Sequence, residues 1–517
     1  MMGVHHPHHE LFSYNVNLSK RVRADHPLRR VLERVDFTFI RAEVAASYGS
    51  KGHVSTDPVI LLKMLFLLFW DDIASERELM NIIPERLDYL WFLGYGLDDV
   101  IPNHSVLSKA RARWGQAAFE KFFMRTIAQC VQAGLVDNKR LLVDSSLVQA
   151  NASNDSILQS SPELVAALRR ACAAQAAKLD EPEPPVSAGV NATRVSTTDP
   201  EATLARKGKQ HARLSYKSHR AVDDAHSVVT AVKTTTGEAG DAAQLPNLLE
   251  QHEAHVQEKP ARVVGDGHYG SAENYRVCQS QGVMTHLKPV YAPRQKEGRF
   301  APEDFRHDRQ RDALICPAGQ ILRRHNFKKT ERLIEYRIER AAHCRDCVLR
   351  AQCTGARAGR TVVLPVEHQL VERGKQQALS AAAQASYRIR RHCMEGSFAD
   401  AANNHGFKRA RWRGLWRQQI QDWLIAAIQN VRILMTSGRS GPFAPIFQTI
   451  KAPIALWIAM AQITEPWALA TNKILQLARA PSHRPNATPL LGNTPVTRLY
   501  SSGRIQVSET PSYSNSA

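Results

Sequence analysis

The stretch Ala261-Arg-Val-Val-Gly-Asp-Gly-His-Tyr-Gly-Ser271 constrains the chain most, because it reads as a short buried strand that stops on a carboxylate, Asp266. Val263 and Val264 supply β-branched residues, and Gly265, Gly267 and Gly270 mark the strand end and permit close backbone approach. Ser271 predicts the cap of a following helix with Glu273 in its first turn. Strand, acid, glycine turn and helix, in that order, present a ligand at the carboxyl end of a sheet strand. An Asp-Gly alone is more often an ordinary turn, so partners elsewhere in the chain decide its meaning.

A second acid lies inside Lys139-Arg-Leu-Leu-Val-Asp-Ser-Ser-Leu-Val-Gln149. Leu141, Leu142 and Val143 run into Asp144, and Leu147 and Val148 continue the strand. A carboxylate in an apolar strand is costly unless it is paired or meets a cation. Strands are predicted again over 214–222 and 226–235, joined at Asp223-Asp224-Ala225 as a hairpin. A helix over 241–252 follows, then the strand ending on Asp266 and a fifth strand over 283–290. This order outlines an α/β fold with a ribonuclease H-like core, first part 136–290. Residues 151–210, rich in Ala, Ser, Thr, Pro and charge, read as a flexible insert with one helix over 162–177.

Charge narrows the partner. The 517 residues carry a formal net charge of +19, which favours a polyanion, nucleic acid first. The longest apolar run of the tail, 454–464, is too short to span a bilayer, and the histidine-rich terminus 1–16 lacks the pattern of a signal peptide. A cytoplasmic protein without a membrane partner is expected. Residues 17–135 read as all-helical. Asp57-Pro58 starts a buried helix, Ser75 with Glu78 makes a capping pair, and a later helix carries Lys109, Arg111 and Arg113 on its surface. A DNA-binding module and a plain bundle with a basic face both fit that pattern.

Eight cysteines are too few for a disulfide scaffold. Four of them, Cys316, Cys344, Cys347 and Cys353, cluster in an insertion over 291–386 with the spacing of a structural zinc site that has one CxxC half. In Tyr387-Arg-Ile-Arg-Arg-His-Cys-Met-Glu-Gly396, Arg388, Arg391 and Glu395 fall on one helical face, pairing a carboxylate with phosphate-gripping arginines. The run His405 to Arg417 interleaves aromatics with Lys408, Arg409, Arg411 and Arg413, suited to nucleic-acid backbone. An apolar helix over 418–435 closes the segment 387–436, and 437–517 reads as a low-order tail.

The chain resembles the DDE transposases of bacterial insertion sequences, in the subgroup with a helical N-terminal DNA-binding domain and a cysteine-bearing insert before the final acid. The resemblance rests on Asp25-His-Pro-Leu-Arg, Ser55-Thr-Asp-Pro-Val, Ser75-Glu-Arg-Glu-Leu, Trp91-Phe-Leu-Gly, Asn103-His-Ser-Val-Leu-Ser-Lys, Val143-Asp-Ser, Tyr216-Lys-Ser-His-Arg-Ala-Val-Asp, Gly265-Asp-Gly-His-Tyr-Gly, Cys316-Pro-Ala-Gly and Glu395-Gly-Ser-Phe. It implies a triad of Asp144, Asp266 and Glu395 holding two Mg2+ or Mn2+ ions, a fit to hard carboxylate oxygens and in-line phosphodiester displacement. It also implies cleavage at the element's terminal repeats, strand transfer into double-stranded target DNA, a homodimer on paired ends, and association with the bacterial nucleoid. Lys217, His219, Arg388 and Arg391 would then meet the scissile strand, and Lys408, Arg409, Arg411 and Arg413 the backbone. The chain departs from the family pattern at Asp266-Gly-His-Tyr, where Asp-Lys-Gly-Tyr is common and only His268 is left to replace the lysine, and at Ala402, where a lysine is usual. A ribonuclease H-fold nuclease or resolvase, and an inactive DNA-binding relic, are the alternatives.

Overall fold

Asp57 and Pro58 show how the helical half is built. Asp57 accepts the Val59 amide at 2.9 Å and caps α4 (Pro58–Trp70), while Pro58 sits in the first turn, where a missing amide costs nothing. All but Lys63 and Trp70 of this helix are buried, so other helices must surround it. They are α1 (Leu18–Arg21), α2 (Pro27–Arg34), α3 (Ile40–Val44), α5 (Glu76–Ile82), α6 (Leu87–Leu93), α7 (Ser105–Trp114) and α8 (Ala117–Gln132). Ser75 accepts the Glu78 amide at 3.1 Å, as the capping pair requires. The computed structural model describes residues 2–3, 16–50, 53–176, 189–289, 299–308, 310–329 and 332–437. The histidines of the start, the stretch Glu181 to Pro185 and the tail lie outside them.

The central sheet follows from period-two burial. β1 (Leu141–Gln149) sends Leu141 and Val143 to one face and Leu142 to the other. Three short strands follow, β2 (Ile157–Gln159), β3 (Arg194–Ser196) and β4 (Thr203–Ala205), with α9 (Pro162–Ala176) between the first two. The long hairpin is β5 (Arg213–Asp223) and β6 (Val229–Thr236); α10 (Leu245–Val256), β7 (Arg262–Gly270), α11 (Ala272–Gln281) and β8 (Met284–Pro289) complete the unit. The order is β6-β5-β1-β7-β8, with β4 also on β5. β5 is antiparallel to both β6 and β1, whereas β1, β7 and β8 run parallel. Ser271 caps α11 by accepting the Asn274 amide at 3.2 Å.

The insertion is a second sheet, β13-β12-β11-β10-β9, all antiparallel. Its strands are β9 (Arg306–Asp308), β10 (Ala313–Ile315), β11 (Ile321–Lys328), β12 (Leu333–Ile338) and β13 (Thr361–Pro365), with α12 (Ala342–Arg345) and α13 (Arg350–Cys353) before the last. The chain then returns through α14 (His368–Leu379), whose Gly374 lets Tyr275 of α11 approach so closely that a Cβ would stand 2.3 Å from its ring. The return to the core therefore precedes residue 387. α15 (Ala381–Asn404) is one continuous helix, and α16 (Leu415–Ser437) ends the described chain.

Three expectations need correction. Residues 151–210 are not flexible throughout. Asp199 accepts the Tyr216 hydroxyl at 2.7 Å and the Gly414 amide at 3.2 Å, and Glu201 accepts the Leu415 amide at 3.0 Å, so this segment satisfies the start of α16. α16 is not simply apolar, because Gln418, Gln419, Gln421, Asp422, Gln429 and Asn430 are buried. Arg111 is not on the surface of α7 either. It is buried, pairs with Glu76 and lies 3.9 Å above the Trp412 ring, while Lys109 and Arg113 remain exposed. These contacts join residues 17–135 to 405–437, and one hydrophobic core runs through both.

Candidate active site

Strand periodicity brings the two aspartates together. β1 and β7 pair in parallel at Leu141 with Val263 and Leu142 with Val264. Two residues further on each strand, in the same register, stand Asp144 and Asp266. Their parity matches Leu142 and Val264, so both side chains lie on the face covered by α15 and α16. The ladder between β7 and β8 is interrupted between Gly265 and Gly270, so β7 continues past Asp266 instead of stopping there. Gly265 is required at the break: a Cβ would stand 2.8 Å from the Leu287 side chain and 3.0 Å from that of Tyr269.

α15 lays Arg390 between the acids. Its Nη2 stands 3.0 Å from Asp144 Oδ1 and 3.5 Å from Asp266 Oδ2, and its Nε donates to the Val143 carbonyl at 2.8 Å. Nη2 makes no well-aligned hydrogen bond to either carboxylate, so charge more than direction holds it there. Asp144 Oδ1 accepts the Ser145 amide at 2.8 Å, and Asp266 Oδ1 accepts the His268 amide at 2.9 Å. Burial raises the Asp144 carboxyl above its ordinary range, and Asp266 and Asp241 push the same way; Arg390 and the Ser145 amide oppose them. A site that disfavours its own carboxylate and admits one cation is arranged for positive charge.

A second layer surrounds Asp144. Ser145 Oγ donates to Asp241 at 2.9 Å, and the Lys217 ammonium stands 3.2 Å from the same carboxylate and 2.6 Å from the Ala239 carbonyl. His219 is fully buried, 2.9 Å from Thr235 Oγ1. Burial, the largest influence, pushes its pKa down to about 4, so it is neutral at pH 7. A DNA contact by His219 is therefore corrected: the imidazole faces the core. Lys217 is committed to Asp241.

The remaining sequence candidates divide. Glu395 lies on α15 five residues after Arg390, is exposed, and is not among the partners of either aspartate. Arg388 and Arg391 are exposed on the same helix. Lys408 donates to Ser146 at 2.6 Å, two residues beyond Asp144 on the same strand face, and Arg409 and Arg413 are exposed. Arg411 is corrected: it pairs with Asp72 and stacks 5.0 Å from the Phe69 ring, docking its loop to the helical half. Arg390 itself escaped the sequence reading. Its signal was present, since Ala383, Ser386, Tyr387, Met394, Ser397 and Ala401 form a buried stripe at three- and four-residue spacing and Arg390 falls within it.

Residues 16–113 match the family model described as a transposase domain (DUF772), and residues 315–435 match that of the transposase DDE domain. By these two domains the chain is a DDE-type transposase. Arg390 and Glu395 of this transposase fall inside the second match, while Asp144 and Asp266 lie between the two. No curated protein matches the transposase at a significant level. Among solved structures it is similar to the Mos1 transposase paired-end complex with left transposon end, at 11% identity over 52% of this chain and 70% of that one. The TM-score of 0.15 is too low to bear on the fold. Among the described residues, the one group of three or more potential metal ligands within 4.8 Å of one another is Asp137, Asp223 and Asp224, whose carboxylates are engaged by Lys139, by the Asn138 and Ala225 amides and by Arg140 respectively.

Proposed function

We propose that this transposase cuts DNA at the terminal repeats of its element and transfers the freed 3′ ends to target DNA, at a centre built on Asp144, Asp266 and Glu395. The observation that carries this reading is the in-register placement of Asp144 and Asp266 on adjacent parallel strands, on one face, sharing one cation. The strand order, with three antiparallel strands and then two parallel ones, supports a ribonuclease H-like core.

Magnesium or manganese fits the donor set. Two carboxylates converge where a guanidinium now stands, and hard divalent ions favour carboxylate oxygen. Asp144 and Asp266, with Glu395 as third ligand, would hold two such ions, whose chemistry would be to polarise the scissile phosphate and lower the pKa of water. The protein residues do the rest. Arg388 and Arg391, exposed on the helix that bears Glu395, grip phosphates flanking the cut, and Lys408, Arg409 and Arg413 hold backbone beyond it. Asp241, through Ser145, fixes the strand end that carries Asp144. Cutting both ends together calls for two copies on paired ends. Among the described residues no helix is long and apolar enough to cross a membrane, and a cytoplasmic, nucleoid-associated protein fits this role.

Asp144, Asp266 and Glu395 do not all come within 4.8 Å of one another, which favours a second reading, a relic that binds DNA without cutting it. One assay separates them: the element's terminal repeats are incubated with the protein and Mg2+ or Mn2+, alongside Asp266→Asn. Nicking at the repeat end, abolished by the substitution, is expected. Repeat binding without nicking supports the relic, and equal cleavage by both proteins excludes the proposed centre.

A further inference from the structure

The insertion has a small core for a five-stranded sheet. Phe305, Leu314, Leu322, Ile334, Tyr336, Ile338 and Val362 are its buried apolar residues. A module this size usually needs a staple, either a disulfide or a metal. All eight cysteines are free thiols. Four of them, from separate stretches of chain, line one cavity of about 20 Å3. That space suits a single water-sized occupant and no organic ligand.

Each thiol is aimed by its own local structure. Cys316 begins the tight turn between β10 and β11, where its amide donates to the Gln320 carbonyl at 2.9 Å and its Sγ accepts the Gln320 amide at 3.3 Å. Cys344 lies on α12, Cys347 in the turn after it, and Cys353 at the end of α13. Gly359, at φ +86° just before β13, lets the chain pass close to this cluster; a Cβ there would stand 2.5 Å from Ile338 and 3.4 Å from Cys344 Sγ. The cavity is also lined by Arg360, whose guanidinium is tied to the Cys353 carbonyl at 3.1 Å and the Phe300 carbonyl at 2.9 Å. Four thiolates around a divalent ion carry a net charge of about −2, which a fixed guanidinium offsets.

We propose that Cys316, Cys344, Cys347 and Cys353 bind one zinc ion, releasing their four protons to solvent, and that this ion completes the fold of the insertion. Among the described residues no three of these sulfurs stand within 4.8 Å of one another. Binding therefore draws these sulfurs closer together, coupling metal uptake to folding of the module. With four protein ligands the ion has no open position for catalysis, so the site is separate from the aspartates.

The test is the zinc content of the full-length protein purified without added metal. One zinc per chain is expected, with X-ray absorption showing four sulfur neighbours at about 2.3 Å. The pair Cys344→Ser and Cys347→Ser loses the ion, whereas Cys393→Ser keeps it. Zinc-free folded wild type, nitrogen or oxygen neighbours, or full zinc in the double variant would each overturn the proposal. If the double variant does not fold, the absorption spectrum of the wild type decides. Zinc content is independent of DNA cleavage, so failure of the proposed nicking activity leaves this result untouched.

Discussion

Asp144 and Asp266 occupy the same register position on adjacent parallel strands and share the guanidinium of Arg390, at 3.0 and 3.5 Å. The strands supply the spacing, because both residues lie two positions beyond the last paired ones. α15 supplies the charge that lets two partly buried carboxylates face each other. Without a cation the pair would repel, and burial already raises the Asp144 carboxyl.

Arg390 should therefore compete with divalent ions for this place. Arg390→Ala removes the resident cation, and Mg2+ or Mn2+ should bind the DNA-free protein roughly tenfold, or about 1.4 kcal/mol, more tightly, because a positive charge 3.0 and 3.5 Å from the two carboxylates no longer opposes it. Arg388→Ala, on the exposed side of the helix, should leave that affinity unchanged. Titration calorimetry on the two variants makes the comparison. Equal affinities in both would show that Arg390 is a structural tether for α15.

How far the site was legible in the sequence depends on periodicity. Asp144 and Asp266 could be found because an acid at the end of an apolar run breaks a period-two pattern, and the five strands around them read in order. Arg390 was hidden among four basic residues, although its position on a buried stripe set it apart. His219 and Arg411 read as DNA contacts because composition does not reveal direction: β5 is buried on both faces, and Arg411 meets Asp72 from a distant part of the chain. The ordering of 189–210 was equally illegible, since it depends on amides at the start of α16 that only the tertiary fold brings near Asp199 and Glu201.

Gly265 sets how closely Tyr269 tucks beneath Asp266. Gly265→Ala places a methyl 2.8 Å from Leu287 and 3.0 Å from Tyr269. Overpacking of this kind costs about 1–3 kcal/mol. The melting temperature should fall, and nicking of terminal repeats should fall further than the lost stability explains, because the strand that carries Asp266 must shift. A variant with the reduced melting temperature and unaltered nicking would show that the break in β7 is not what positions the acid.

Buried histidines set the acid limit of the fold. His252 is fully buried with Nδ1 2.8 Å from Thr230 Oγ1, and burial, then His255, pushes it down to about 4. The unfolded chain takes up that proton near its ordinary pKa, the folded chain only near 4. The stability held by the neutral form is thus complete above about pH 6.5 and lost as pH falls toward 4, at about 1.4 kcal/mol per pH unit. His219 behaves alike. Urea unfolding of His252→Gln between about pH 6 and pH 4.5 should show the acid slope reduced by one proton's worth. An unchanged slope would mean that His252 is already protonated in the fold.

α16 covers the open edge of the sheet with side chains instead of a strand. Asn430 accepts the Val229 amide and donates to the Val229 carbonyl, both at 2.9 Å, and Gln419 accepts the Thr234 amide at 2.7 Å and donates to the Val232 carbonyl at 3.3 Å. An exposed β6 would offer unpaired backbone to other chains, so this amide ladder both stabilises and shields it. Asn430→Ala leaves a buried backbone donor and acceptor without partners, at about 1–3 kcal/mol each. Asn430→Asp keeps the acceptor and, protonated at low pH, offers an O–H donor in place of the amide, so its cost there should fall well below that of alanine. Denaturant midpoints give the order, and light scattering should show the alanine variant self-associating through β6. If alanine costs no more than a surface substitution, water replaces Asn430 and the edge is not sealed by α16.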